Sequence, residues 1–261
     1  MLLPDPKGRA VQEQTDPKIV IAAGKARIPV IACGSRWLVL DKPCGLSIHN
    51  NPGSDLCSLA LAAARAGDLP TMRCDLSALH AVHRIDRDTS GIVLLAGDAE
   101  TLAYFGAQFA DKSVGKLYLA VAHGHLEGPT AGREWIEWNW PLTEGAAGRN
   151  DPMGQGKRVP CTTRCRPITH SAHYSLIECE PLTGRKHQIR RHAKLAGHPI
   201  AGDRRYGSAR SLDYLRRHCD FQRLALHAHR LTIRLPGEDQ STIFQSIGLP
   251  EELNRLLEID R

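Results

Sequence analysis

The segment His83-Arg84-Ile85-Asp86-Arg87-Asp88-Thr89-Ser90-Gly91 sets two carboxylates among two arginines, just ahead of the apolar run Ile92-Val93-Leu94-Leu95. A carboxylate beside a guanidinium stays ionised, and on a turn anchored by a buried strand it is a nucleophile with a fixed position. The same composition also fits a polar turn with ordinary surface ion pairs, and spacing alone does not decide between them. Two distant segments add bases, histidines and turn glycines at unusual density: Leu182-Thr183-Gly184-Arg185-Lys186-His187-Gln188-Ile189-Arg190-Arg191-His192 and Gly197-His198-Pro199-Ile200-Ala201-Gly202-Asp203. The histidines raise the question of a metal, but no H-E-x-x-H pattern accompanies them, and Cys161-x-x-x-Cys165 has no matching second pair. No metal is expected.

Several elements must position these residues. Trp37-Leu38-Val39-Leu40 reads as a strand stopped by Lys42-Pro43-Cys44-Gly45, and residues 55–66 as a helix ending at Gly67. Ile92–Leu95 is a strand of buried type, after which Asp98 can cap a helix running through Tyr104 and Phe109. Leu117–Val121 and Leu176–Glu180 are strand-like, with a long glycine-rich loop between Leu142 and Pro160 that is expected to order on binding. A helix is expected from Lys186 to Ala196, with Ile189, Ala193 and Ala196 turned to the core, then a strand from Leu224 to Ile233 and an amphipathic helix from Glu251 to Ile259. Strands and helices intermix with no βαβ period and no internal repeat, so the expectation is one α+β domain. It would span residues 21–247, with a flexible leader over 1–20 and the C-terminal helix of 248–261 packed on it.

Composition narrows the classes. With 261 residues, 42% hydrophobic and 24% charged, the chain can bury roughly three quarters of its unfolded surface, which excludes disorder as the main state. No stretch approaches the ~20 apolar residues of a membrane span, and the opening Met1-Leu2-Leu3-Pro4 lacks a signal-peptide pattern. The cysteines at 33, 44, 57, 74, 161, 165, 179 and 219 are scattered, as reduced thiols in a cytoplasm would be. The net charge is +6, with basic residues crowded into Arg185–Lys194 and Arg204–Arg217, which favours a polyanionic partner. Aromatics at 5% argue against a binder built on stacked rings, so phosphates and shape should dominate.

The first segment resembles motif II of the RluA-type pseudouridine synthases, His-Arg-Leu-Asp-x-x-Thr-Ser-Gly. The second resembles their Thr-Gly-Arg-x-His-Gln-Ile/Leu-Arg-x-His motif, and the third their Gly-His-Pro-Ile-x-Gly-Asp continuation, which runs on to Tyr206-Gly207. Asp41-Lys42-Pro43-x-Gly45, Lys116-x-Tyr118-x-Ala120, Gly156-Lys157 and Leu226-His227-Ala228 match further, in the family's order, so the likeness runs from about residue 31 to 236. Ile85 stands for the commoner leucine and Lys186 for a frequent Thr or Ser; neither change removes a reactive group. Many relatives carry an N-terminal S4-type module, and the residues ahead of the match are too few for one, so the chain resembles the compact members.

The resemblance implies an α+β catalytic domain with a large mixed, mostly antiparallel sheet and an active-site cleft. It implies a cytoplasmic isomerase that needs no cofactor and turns uridine into pseudouridine in structured rRNA or tRNA. Asp86 takes the place of the nucleophile, Tyr118 sits against the target base, and Arg190 pairs with the catalytic carboxylate. Arg84 would fill the space left by a flipped uridine. Lys42, Lys157 and Arg191 are expected at phosphates, and Arg185 and His187 would grip phosphate or fix their turn. A monomer is the default expectation. The alternative is a noncatalytic RNA-binding or RNA-folding protein on the same scaffold.

Overall fold

The structure, a computed structural model, describes residues 19–23, 26–73, 75–128 and 134–261. The expected leader, up to residue 18, and Cys74 lie outside the described residues. In chain order the elements are β1 (Val20–Ala23), β2 (Ala26–Cys33), β3 (Trp37–Lys42), α1 (Leu56–Ala66), β4 (His80–Ala81), β5 (Ser90–Ala96), α2 (Ala99–Ala110) and β6 (Gly115–His123). There follow β7 (Ile136–Trp138), β8 (Leu142–Thr143), β9 (Arg158–Val159), β10 (Thr163–His170), β11 (Tyr174–Pro181), α3 (Gln188–Leu195) and α4 (Ala209–His218). The chain ends with β12 (Leu226–Arg234), β13 (Ser241–Gln245) and α5 (Glu251–Ile259). The protein is of the α+β class, and the described strand registers are antiparallel. It divides into two units: residues up to Lys116 with Ala228–Gly248, and Leu117–His227 with Leu249–Arg261.

In the first unit the strand order is β1-β2-β3-β5-β12, with β13 on β12 and β4 on β5. β5 is buried at every position, as its unbroken apolar run requires. Val39, Ile92, Leu94, Phe105, Leu231, Ile233 and Phe244 form the core. Asp55 and Asp98 cap α1 and α2 by accepting from Ser58 N and Thr101 N, and Gly67 closes α1 in the left-handed conformation. Gly91 has φ +113°, and a Cβ there would lie 2.2 Å from the Ala228 carbonyl oxygen, so only glycine lets β5 begin where it does.

In the second unit the order is β6-β11-β10-β7, with β8 and β9 as a separate ladder. Val121, Trp138, Ile177, Ile189, Ala193, Phe221 and Leu253 belong to its core. α5 is bound through its end: Asp260 accepts from Ser171 Oγ and His173 N, both at 2.7 Å, in the β10–β11 turn. Sequence reading supplied neither β10 nor α4. β10 buries small residues, Thr163 and Cys165, between arginines, and α4 buries Leu215 alone, so neither shows a periodic row of large apolar side chains. α3 starts at Gln188 rather than Lys186 because His187 adopts φ +55° and Gln188 N donates back to Arg185 O. The glycine-rich loop, expected to order on binding, is closed by pairing of β8 with β9 and pinned from beneath by Arg191.

Candidate active site

Asp86 opens a tight turn, closed by Thr89 N donating to its carbonyl at 3.1 Å, between buried Ile85 and buried Thr89. A second loop is laced against this turn. Gly45 N donates to Arg87 O (3.0 Å), Arg87 Nε returns to Gly45 O (3.1 Å), and Cys44 Sγ donates to Asp88 O (3.0 Å). Beneath both, the fully buried Lys42 gives its ammonium to the carbonyls of Pro43 (3.0 Å), Leu46 (2.9 Å) and Arg87 (2.9 Å). A buried ammonium is tolerated because its three protons have acceptors.

Lys42 was expected at a phosphate. Burial and these bonds instead make it the internal clamp of the Asp86 turn. Asp86 is half-buried, whereas Arg84, Arg87 and Asp88 are exposed. Arg87 and Asp88 are 3.9 Å apart with side chains 71% and 52% exposed, a pairing that contributes little and leaves the turn to its backbone bonds. His83, at the start of the motif, is half-buried: its Nε2 accepts from Leu94 N at 3.1 Å and its ring stacks on Phe109. Burial, with Lys116 adding to it, pushes its pKa down to about 3, so it is a neutral structural histidine.

The remaining expected site residues lie in the second unit. Tyr118 stands on β6 opposite Cys179 of β11 and packs against the core that also holds Ile189 of α3. α3 carries Ile189, Ala193 and Leu195 as its apolar side chains, yet Gln188, Arg190, Arg191 and His192 are all buried too. Each has polar partners. Gln188 Oε1 accepts from Thr183 Oγ1 (2.7 Å) and Arg185 N (3.0 Å), while its Nε2 donates to Thr162 O and Thr163 Oγ1 (3.0 Å each). His192 donates from Nε2 to Trp140 O (2.9 Å) and takes Thr163 Oγ1 at Nδ1 (3.0 Å), a neutral tautomer that burial favours.

Arg190 holds Asp203 in a two-pronged ion pair, Nε to Oδ2 at 2.8 Å and Nη2 to Oδ1 at 2.9 Å, and Asp203 is buried. Asp203 Oδ1 also accepts from the backbone N–H groups of Arg205 and Tyr206. Burial pushes the Asp203 carboxyl up, but the bonds from Arg190 and the two amides outweigh it, and its pKa lies below the ordinary value. Sequence reading did not assign this aspartate. The available signal was that an arginine in a core-facing helix needs a carboxylate, and the Gly-Asp step of the third motif supplies one.

Arg191 was expected at a phosphate too, but it is wholly buried and spends its guanidinium on protein acceptors. Nε donates to Pro152 O (2.5 Å), Nη1 to the carbonyls of Thr143, Gly145 and Lys186, and Nη2 to Met153 O (2.6 Å) and Thr143 Oγ1 (3.0 Å). Lys157 is exposed on the loop that Arg191 pins. Arg185 is half-buried, and its Nε is buried without a hydrogen-bond partner among the described residues. His187 places Nδ1 3.0 Å from the hydroxyl of buried Tyr206, which fixes the turn. Among the described residues no group of three or more His, Cys, Asp or Glu could hold a metal ion, and no helix is long and apolar enough to cross a membrane.

A family model described as RNA pseudouridylate synthase matches residues 36–195. The chain is 38% identical over 210 residues to a ribosomal large subunit pseudouridine synthase C of Vibrio vulnificus, covering 78% of this chain and 60% of that protein. It is 34% identical over 231 residues to a ribosomal large subunit pseudouridine synthase D of Zymomonas mobilis, covering 85% and 69%. The chain thus spans 60–65% of the length of the type C relatives from Vibrio and Haemophilus. In fold it is similar to the solved human RNA pseudouridylate synthase domain containing 4, with a TM-score of 0.63, 23% identity, and coverage of 88% of this chain and 92% of that one.

Proposed function

Because the chain belongs to the RNA pseudouridylate synthase family, we propose that it isomerises specific uridines of structured RNA to pseudouridine, with ribosomal RNA as the substrate class. The observation that carries this reading is the Asp86 turn, a half-buried carboxylate whose backbone is fixed by Lys42 and by the Gly45–Arg87 bonds.

The reaction breaks the bond from C1′ to N1 of uracil, turns the base, and joins C5 to C1′; the proton lost from C5 is balanced by one gained at N1. Asp86 meets the electron-poor C1′, by attack or by stabilising a glycal, and either route needs it ionised. Tyr118 lies against the base and relays the C5 proton. Arg190, whose guanidinium is held by Asp203, has the role of keeping the catalytic carboxylate ionised. A stacked uridine cannot reach such a carboxylate, so it is flipped out at a cost of a few kcal/mol, and Arg84 fills the gap. Lys157, Arg185 and His187 hold phosphates. The enzyme works as a monomer in the cytoplasm, without metal or cofactor.

Pseudouridine mapping of ribosomal and transfer RNA from cells with and without the protein tests this reading. Sites lost on deletion and restored by the wild-type chain are expected. An unchanged map, with the purified protein still binding RNA, would favour the noncatalytic alternative.

A further inference from the structure

Arg191 occupies the position that the arginine motif leaves open, and its six described hydrogen bonds all go to protein acceptors. Two of them reach Thr143 at the end of β8, and three reach the loop that follows it, at Gly145, Pro152 and Met153. Arg205 adds a further hold from Nε to Ala147 O at 2.8 Å. At Gly154, with φ +80°, a Cβ would lie 2.1 Å from Thr143 Oγ1, so glycine is needed where the loop closes on the Arg191 site. A glycine-rich loop held this way has already met much of the ordering cost of binding.

The held loop lines an open pocket of about 740 Å³, within the usual range for small-ligand sites of roughly 300–1,000 Å³. Its lining includes Gly145, Ala146, Arg149, Asn150 and Gln155. A planar trans peptide points its N–H opposite to its carbonyl, so the amides of Glu144 and Ala146 point away from the Arg191 guanidinium. Asn150 and Gln155 each carry a donor and an acceptor, the pairing a base edge offers, and both are exposed, as is the cation of Arg149. The carboxylate in the lining, Asp151, is engaged by Gly154 N at 3.1 Å and lies 3.9 Å from Arg158 Nη2.

From these features we infer that the loop pocket is a preformed subsite for one ribonucleotide of the substrate RNA, with Arg191 as the buried positioning residue. Arg149 and the Ala146 amide take the phosphate, and Asn150 and Gln155 take the base edge. The inference rests on the proposed function only for the identity of the ligand as RNA.

The test uses the full chain and a short oligoadenylate, which offers no uridine to the catalytic carboxylate. In fluorescence anisotropy the double variant Asn150→Ala/Gln155→Ala is expected to bind it about tenfold more weakly than wild type, the effect of losing one or two base hydrogen bonds. Its melting temperature should be unchanged, since both side chains are exposed. Arg191→Met should weaken binding as much, although Arg191 itself does not line the pocket. Amide resonances of Gly145 and Gly148 should shift in wild type on titration. Wild-type affinity in the double variant, or no oligoadenylate binding by wild type, overturns the inference. Pseudouridine formation in ribosomal RNA is read on the same preparation. A wild-type protein that forms none, while the double variant loses oligoadenylate, keeps the subsite and sinks the proposed reaction instead.

Discussion

Arg190 and Asp203 meet through two parallel hydrogen bonds of 2.8 and 2.9 Å in a buried setting, and the pair joins α3 to the Gly202-Asp203 turn. Two of the guanidinium nitrogens are thereby committed, so the direction of the fork is set by the fold before any RNA arrives.

Asp203→Asn removes the buried carboxylate that the Arg190 fork holds and should cost about 3–5 kcal/mol in urea unfolding, with a matching loss of activity. The pair also sets an acid limit. The Asp203 pKa is lowered in the folded state, so the carboxylate stabilises fully above about pH 4, and that contribution is lost as pH falls through the folded value. The variant should lose part of the wild type's acid sensitivity in this range. Equal acid limbs in the two proteins would refute the assignment.

Lys42→Met removes the ammonium that serves three carbonyls around the Asp86 turn. Arg87 O keeps Gly45 N, but Pro43 O and Leu46 O are orphaned at about 1–3 kcal/mol each, so a loss of at least about 2 kcal/mol is expected, and turnover should fall more than RNA affinity. Stability within about 0.5 kcal/mol of wild type would show that Lys42 is not the clamp.

His83 is held neutral, its pKa pushed from the ordinary 6.5 to about 3. A depressed histidine stabilises fully above its unfolded value, and between about pH 6.5 and 3 the unfolded chain binds a proton that the folded chain refuses. Its share of stability therefore falls with acidification by up to ~1.4 kcal/mol per pH unit. His83→Gln keeps an acceptor but does not titrate. Urea midpoints for wild type and variant should converge as pH drops from about 7 to about 5, and parallel curves would contradict this.

Much of the positioning framework was legible in the sequence. Asp98 announced α2 because a cap is a local signal, helix-forming residues stopped by Gly67 announced α1, and the apolar run Ile92–Leu95 announced β5 because a fully buried strand has no polar face. The destination of charged side chains was not legible. Lys42 and Arg191 looked like surface cations because charge ordinarily means exposure, while their acceptors are backbone carbonyls, which no residue type marks. For Arg191 those carbonyls lie about forty residues upstream, in a loop with no periodicity of its own. α4 was missed for a related reason: one buried leucine makes no pattern.

The central claim is that the Asp86 carboxylate performs the isomerisation, and the most direct measurement is single-turnover pseudouridine formation by purified wild type and Asp86→Asn on unmodified ribosomal RNA, with RNA affinity measured alongside. The substitution preserves size and removes the ionised oxygen. Wild type should form pseudouridine and Asp86→Asn none, with affinities within about twofold of each other, since phosphates supply most of the binding. Comparable turnover by the asparagine variant would contradict the account.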